Sequence, residues 1–134
     1  MTRRRNLVFT DRMPSAPRLL VCDDAPGFRL LVQTVFEDGG FDVAGNAATW
    51  DEAEALAQQL TPEAILLDLW LPIFDPSGVV RVRAAAPGAV LAVVSSLSAG
   101  EVADLVAEID GIDLVLSKRE PPEQMVSALR ERLV

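Results

Sequence analysis

Histidine is absent from the 134 residues. That removes imidazole acid–base catalysis, histidine metal ligation and any role as a phosphohistidine carrier. Cysteine is nearly absent too: Cys22 stands alone, which excludes an internal disulfide and fits a reducing, cytoplasmic setting. Basic charge is scarce, with 12 Lys and Arg against 20 Asp and Glu and a net charge of −8. The body therefore lacks the basic face that direct nucleic-acid binding needs. No apolar run approaches the roughly 18–20 residues of a membrane span. The N-terminus carries Arg3-Arg4-Arg5 but not the longer apolar region of a secretory signal. Neither membrane insertion nor export is expected.

What is present is an ordinary globular balance, half apolar and 24% charged, enough for one domain with one sizeable core. Residues 1–17 mix arginines with Pro14 and Pro17 and show no sustained period. They read as a flexible N-terminal tail, with a docking arm for an acidic surface as the alternative. Residues 18–134 read as the domain.

Short apolar runs alternate with helical periodicity along that domain. Leu19 to Cys22 is a first buried strand ending in Asp23-Asp24. Pro26 fits the first turn of a helix, with either aspartate as its cap. Its apolar stripe is Phe28, Leu31, Val32, Val35 and Phe36, and Gly39-Gly40 ends it. A brief strand over Phe41–Ala44 follows. Thr49 and Glu52 form a capping box for a helix with Ala53, Leu56, Ala57 and Leu60 inward, stopped by Pro62. Ala64-Ile65-Leu66-Leu67 is a strand buried on both faces that runs into Asp68. Ser77 would cap the next helix, with Val79, Val80 and Val82 as its apolar positions. Ala89–Val94 is a fourth strand ending in Ser95-Ser96. Ser98 and Glu101 cap a helix whose buried face is Val102, Leu105, Val106 and Ile109; Leu105→Asp should therefore unfold the protein. Ile112, Leu114, Val115 and Leu116 make a fifth strand before Ser117-Lys118. Pro121-Pro122 opens a last helix with Met125, Val126, Leu129 and Leu133 inward.

Five strand–helix units imply a doubly wound, five-stranded parallel sheet with helices on both faces. Such a sheet brings Asp23-Asp24, Asp68, Ser95-Ser96 and Ser117-Lys118 to one edge, the edge where ligands bind in open α/β sheets. Crowded carboxylates favour a hard divalent cation, and Mg²⁺ suits because it takes one or two carboxylates, keeps waters and recruits phosphate oxygens. Lys118 adds a point cation, and a serine hydroxyl a donor to a phosphoryl oxygen. Together they make an apparatus for phosphoryl transfer to a carboxylate. Each residue alone has a plainer reading, as a turn former, cap or solvated charge; it is the convergence on consecutive strand ends that carries the reading.

With these motifs in place, Leu20-Val21-Cys22-Asp23-Asp24, Leu66-Leu67-Asp68-Leu69-Trp70-Leu71-Pro72, Val93-Val94-Ser95-Ser96 and Leu116-Ser117-Lys118, the sequence resembles the receiver (phosphoacceptor) domain of two-component response regulators from about Arg18 to Val134. The resemblance implies a flavodoxin-like receiver fold. It implies that Asp68 accepts a phosphoryl group from the phosphohistidine of a histidine kinase or phosphotransfer protein. Asp24 would ligate Mg²⁺ directly, Asp23 mainly through water, and the backbone carbonyl of Trp70 would complete the metal site. Ser95 would be the switch hydroxyl, and Lys118 would bridge to Asp68 or its phosphoryl oxygens. The chain would be a signalling phosphoacceptor that assists its own phosphorylation and dephosphorylation, not an enzyme with a separate substrate. It ends after the fifth helix, so a stand-alone receiver read by a downstream protein partner is expected, with a homodimer through the fourth and fifth units left open.

The sequence departs from the family pattern in places. The loop beyond the acceptor, Leu71-Pro72-Ile73-Phe74-Asp75-Pro76, lacks the usual glycines. Trp70 is bulky, Val115 stands at the aromatic switch position, and Arg119 stands where proline usually follows the lysine. These departures motivate the alternative of a phosphorylation-independent interaction domain on the same fold. A hydrolase of small phosphate esters is disfavoured because no separate acid or base accompanies the acidic pair.

Overall fold

The structure is a computed structural model and describes residues 16–133. The arginine-rich tail expected over residues 1–17 lies almost wholly outside the described residues.

Five strands alternate with five helices: β1 (Arg18–Cys22), α1 (Pro26–Asp38), β2 (Asp42–Ala47), α2 (Trp50–Leu60), β3 (Ala64–Asp68), α3 (Pro76–Ala85), β4 (Val90–Ser95), α4 (Ala99–Leu105), β5 (Leu114–Ser117) and α5 (Pro122–Arg132). All pairings are parallel, in the order β2-β1-β3-β4-β5. Successive strand residues point to opposite faces, so each strand feeds two cores. Leu20, Ile65, Leu67, Leu91 and Val93 pack under α2, α3 and α4 through Ala53, Ala57, Val79, Val82 and Val102. Leu19, Val21, Leu66, Ala92 and Val94 pack against α1 and α5 through Val32, Phe36, Met125 and Leu129. Burial on both faces explains why these strands read as continuous apolar runs. The chain moves from β1 outward to β2, then back across to β3. The order therefore reverses between β1 and β3, and a crevice opens there at the carboxyl edge.

Local signals explain most element ends. Thr49 Oγ1 accepts from Glu52 N–H at 3.1 Å, while the Glu52 carboxylate reaches back to Ala48 N–H at 2.8 Å. Ser98 and Glu101 form a reciprocal capping box. Gly111 adopts φ +90°, which a side chain would resist.

Several expectations are corrected. The second strand runs over Asp42–Ala47 rather than Phe41–Ala44, and Ile112 precedes β5 rather than lying in it. Ala25, not an aspartate, is the N-cap of α1; Asp23 instead accepts from Ala25 N–H at 2.8 Å, closing a turn between strand and helix. Asp75, not Ser77, caps α3, because Pro76 takes the first helical position and the Asp75 carboxylate accepts from Ser77 N–H at 3.0 Å. The apolar stripes are wider than the faces the sheet covers, so Leu31 and Val80 are exposed. α4 stops at Leu105 instead of running to Ile109. Asp104, Glu108 and Asp110 crowd its end with no basic residue in the last turn, which opposes the helix dipole. Val102 and Val106 are buried as expected, but Leu105 is 36% exposed.

Candidate functional site

The site sits where β1 and β3 end side by side. Cys22 pairs with Leu67 in the last register position, so the residues that follow, Asp23 and Asp68, emerge together. Asp23 is 1% and Asp68 4% exposed, whereas Asp24 faces solvent. Carboxylate oxygens of Asp23, Asp24 and Asp68 all lie within 4.8 Å of one another. Lys118 follows β5, two strands away from β3, and its long side chain crosses the end of β4. Its Nζ stands 2.7 Å from Asp23 Oδ2 and 2.9 Å from Asp68 Oδ2. The other Asp68 oxygen accepts from Trp70 N–H at 2.9 Å.

Burial raises the Asp68 carboxyl, and the Asp23 charge adds to the rise. The Trp70 N–H and Lys118 oppose it, and the balance leaves Asp68 at about 6. For Lys118, burial acts downward, but its bonds to Asp23 and Asp68 outweigh it and hold the ammonium above its ordinary value. The Cys22 thiol, buried and next to Asp23, is pushed far up and stays an inert core group.

The residues fit a hard divalent cation. Asp23 Oδ2 is buried, and its close partner is the Lys118 ammonium at 2.7 Å, which it shares with Asp68. Three carboxylates whose oxygens converge within 4.8 Å, two of them buried and sharing a single ammonium, are a set of oxygen ligands suited to Mg²⁺.

The remaining predicted residues are nearby in different ways. Ser95 ends β4 fully buried, and its Oγ accepts from Leu97 N–H at 3.3 Å. Among the described residues no hydrogen bond joins Ser95 to Asp68. The Trp70 group that meets Asp68 is its backbone N–H; the residue is 41% exposed, and its indole tilts against Phe74 at 5.9 Å between centroids. Val115 is half-buried against the α2–α4 core. Arg119 ties two loops together: its Nε donates to Ser96 O at 3.0 Å, while Ser117 Oγ donates to Leu97 O and accepts from Arg119 N–H.

Two contributors escaped the sequence reading. Phe28 was placed only on the apolar stripe of α1, yet its ring centroid lies 4.1 Å from Lys118 Nζ, a cation–π contact on the ammonium's apolar side. Arg29 Nη1 donates to Asp23 O at 2.7 Å and fixes the strand end that carries the acid. Their position was the available signal, since the first turn of a helix that follows Asp23-Asp24 directly must overlook the site.

The sequence matches the response regulator receiver domain over residues 19–130, and the chain belongs to that family. It is 35% identical over 119 residues to the DNA-binding dual master transcriptional regulator RpaA of Synechocystis sp., covering 87% of this chain and 49% of that protein. The chain spans half or less of the length of the curated relatives it matches first. A two-component response regulator of the LuxR family from Aurantimonas sp. superimposes with a TM-score of 0.78 at 25% identity, over 89% of this chain and 86% of that one. A response regulator from Burkholderia pseudomallei, solved with a phosphorylated aspartic acid, calcium ion and citrate, matches with a TM-score of 0.73 at 27% identity, over 87% and 68%. The fold is thus a receiver fold, and among the described residues no helix is long and apolar enough to cross a membrane.

Proposed function

We propose that Asp68 is the phosphoacceptor of a stand-alone, cytoplasmic receiver that takes its phosphoryl group from the phosphohistidine of a histidine kinase or phosphotransfer protein. The observation that carries this reading is the single ammonium of Lys118 held between Asp68 and Asp23. It leaves one buried carboxylate positioned and partly neutralised at the ligand edge of the sheet. An Asp68 oxygen attacks phosphorus as the bond from phosphorus to the donor's imidazole nitrogen breaks; that nitrogen keeps the electron pair and takes a proton. Dephosphorylation reverses the acceptor bond, with water attacking phosphorus and Asp68 leaving as carboxylate. Lys118 remains beside the oxygen that gains charge.

Asp23, Asp24, Asp68 and the Trp70 carbonyl would hold Mg²⁺. The bound ion supplies positive charge against the phosphoryl oxygens. The phosphorylated aspartic acid and calcium ion of the Burkholderia relative support this use of the site. Ser95 serves as the hydroxyl that meets the phosphoryl group, and a downstream protein reads the changed surface.

A second reading, a receiver-fold interaction domain that works without phosphorylation, draws on one observation. Arg119 Nε on Ser96 O clamps the β4–α4 loop, the segment Ser95 would have to carry. One experiment separates the two. With Mg²⁺ and a small phosphodonor, intact mass should show a single phosphoryl adduct, lost in Asp68→Asn. Beryllofluoride should shift amide resonances around Ser95 and Lys118. No adduct and no shift would leave only the second reading; an adduct on Asp68→Asn would reassign the acceptor.

A further inference from the structure

The arginine-rich segment ahead of Ala16 lies outside the described residues, and a groove of about 530 Å³ between α3 and the segment that follows α4 lies apart from Asp23, Asp68 and Lys118. The two match in chemistry. Residues 1–15 hold Arg3, Arg4, Arg5 and Arg12 against Asp11 alone, so they carry +3 of formal charge and the other 119 residues carry −11 of the chain's −8. Leu7-Val8-Phe9 follows the arginines after one asparagine. The groove presents Val80, 53% exposed, with Ala84 and Ile109 as apolar wall and Glu108 and Asp110 as rim.

That rim is uncompensated. The one cation lining the groove, Arg83, is turned inward: its guanidinium donates to the carbonyls of Ala86, Pro87, Ala89 and Gly111 and pairs with Asp113 at 3.2 Å. Among the described residues no cation stands within ion-pair distance of Glu108 or Asp110.

The exit of the chain favours this groove. Arg18 is bound on the α2 side of the sheet, its N–H on the Glu63 carboxylate and its guanidinium on the carbonyls of Leu60 and Thr61. Beside it a recess of about 320 Å³ runs between Thr61–Glu63 and Ala85–Ala89, and Ala85 adjoins Ala84 of the α3 groove. The eleven residue-to-residue steps from Arg5 to Ala16 reach up to roughly 35 Å when extended. That exceeds the roughly 15 Å length of a ten-residue helix such as α3. A tether this short gives an effective concentration on the order of millimolar, so a weak contact suffices.

We propose that Arg3 to Phe9 of the same chain occupies the α3–α4 groove, the guanidinium groups against Glu108 and Asp110 and the apolar side chains over Val80 and Ile109. The test uses the full chain with Thr2→Cys carrying a nitroxide; buried Cys22 is shielded from the reagent. Amide signals of residues 80–84 and 108–111 should lose intensity selectively. The loss should disappear in the Glu108→Arg, Asp110→Arg double variant, whose substituted side chains are exposed and leave the fold intact. It should weaken as salt shortens the screening length from about 10 Å at 0.1 M to about 3 Å at 1 M. Three results would overturn the proposal. One is uniform loss. Another is loss centred on a different groove, the one between Val35 of α1 and Val126 of α5, or on Asp23 and Asp68. The third is equal loss when nitroxide-bearing chain is mixed with isotope-enriched chain lacking it, which would make the occupant a second copy.

Discussion

Trp50 Nε1 donates to the Ile73 carbonyl at 2.8 Å while its indole packs closely against Gly78. The first residue of α2 thus braces the loop that leads from Asp68 and Trp70 to α3, and α3 approaches closely because residue 78 has no side chain. A Cβ at Gly78 would sit 2.5 Å from Trp50 Cδ2. Gly78→Ala should gain about 1 kcal/mol of helix propensity and lose about 1–3 kcal/mol to overpacking. Net destabilisation is expected, read by urea denaturation. Trp50→Phe removes the hydrogen bond, costing about 0.5–1.5 kcal/mol, and should slow phosphorylation by loosening the loop.

The pH dependence of stability follows from Asp68. Its carboxyl holds a proton up to about 6 in the folded protein, against 3.8 ordinarily. The folded state therefore binds the extra proton, and the stability this confers is complete below about pH 4 and lost as pH rises through 6. The span of the effect is on the order of 2–3 kcal/mol. Without Mg²⁺, Asp68→Asn should be the more stable protein above pH 6, its advantage fading toward pH 4. Thermal unfolding across that range checks it, and a variant advantage that grows on acidification would contradict it.

Lys118→Met keeps the length of the side chain and removes the charge. Asp23 and Asp68 then face each other without a cation, so Asp68 should titrate above 6 by carbonyl-carbon NMR. Mg²⁺ should bind more tightly, because no ammonium competes for the same oxygens, while phosphorylation by a small phosphodonor slows. Phe28→Ala should show a weaker version of the titration change, with a stability loss of about 0.5–1 kcal/mol.

Leu105→Asp should stay folded, with a stability change of about 0.5 kcal/mol or less, as for other surface positions. Val102→Asp, fully buried one helical turn earlier, should not fold. Circular dichroism of the two variants decides the matter.

The contrast between Val102 and Leu105 shows what the sequence made legible. Strand identity was plain, because Leu19–Cys22, Ala64–Leu67 and Leu91–Val94 are buried on both faces and leave an unbroken apolar record. The site's acids and lysine were legible for the same reason: each terminates such a run. Helix faces were less so. An apolar stripe records which side of a helix is greasy, not how wide a strip the sheet covers, and so Leu31 and Val80 sit on such stripes yet face solvent, while Leu105, expected on a buried face, is 36% exposed. The N-cap at Asp75 was obscured by Ser77 two residues on, an equally good capping type. Phe28's contact with Lys118 spans 90 residues of chain and leaves no local trace.

Ser95 and Lys118 are joined through the backbone as well as through chemistry. Lys118 N–H donates to Ser95 O at 2.8 Å, and Ser95 pairs with Ser117 at the last register position of β4 and β5. The same two strand ends are stitched again by Ser117 Oγ on Leu97 O and Arg119 Nε on Ser96 O. Hydroxyl and ammonium are therefore mounted on one rigid yoke. If Asp68 takes the phosphoryl group as proposed, a pull on the serine would be handed to the lysine's main chain, and the news would leave the pocket as one concerted displacement of both strand tips.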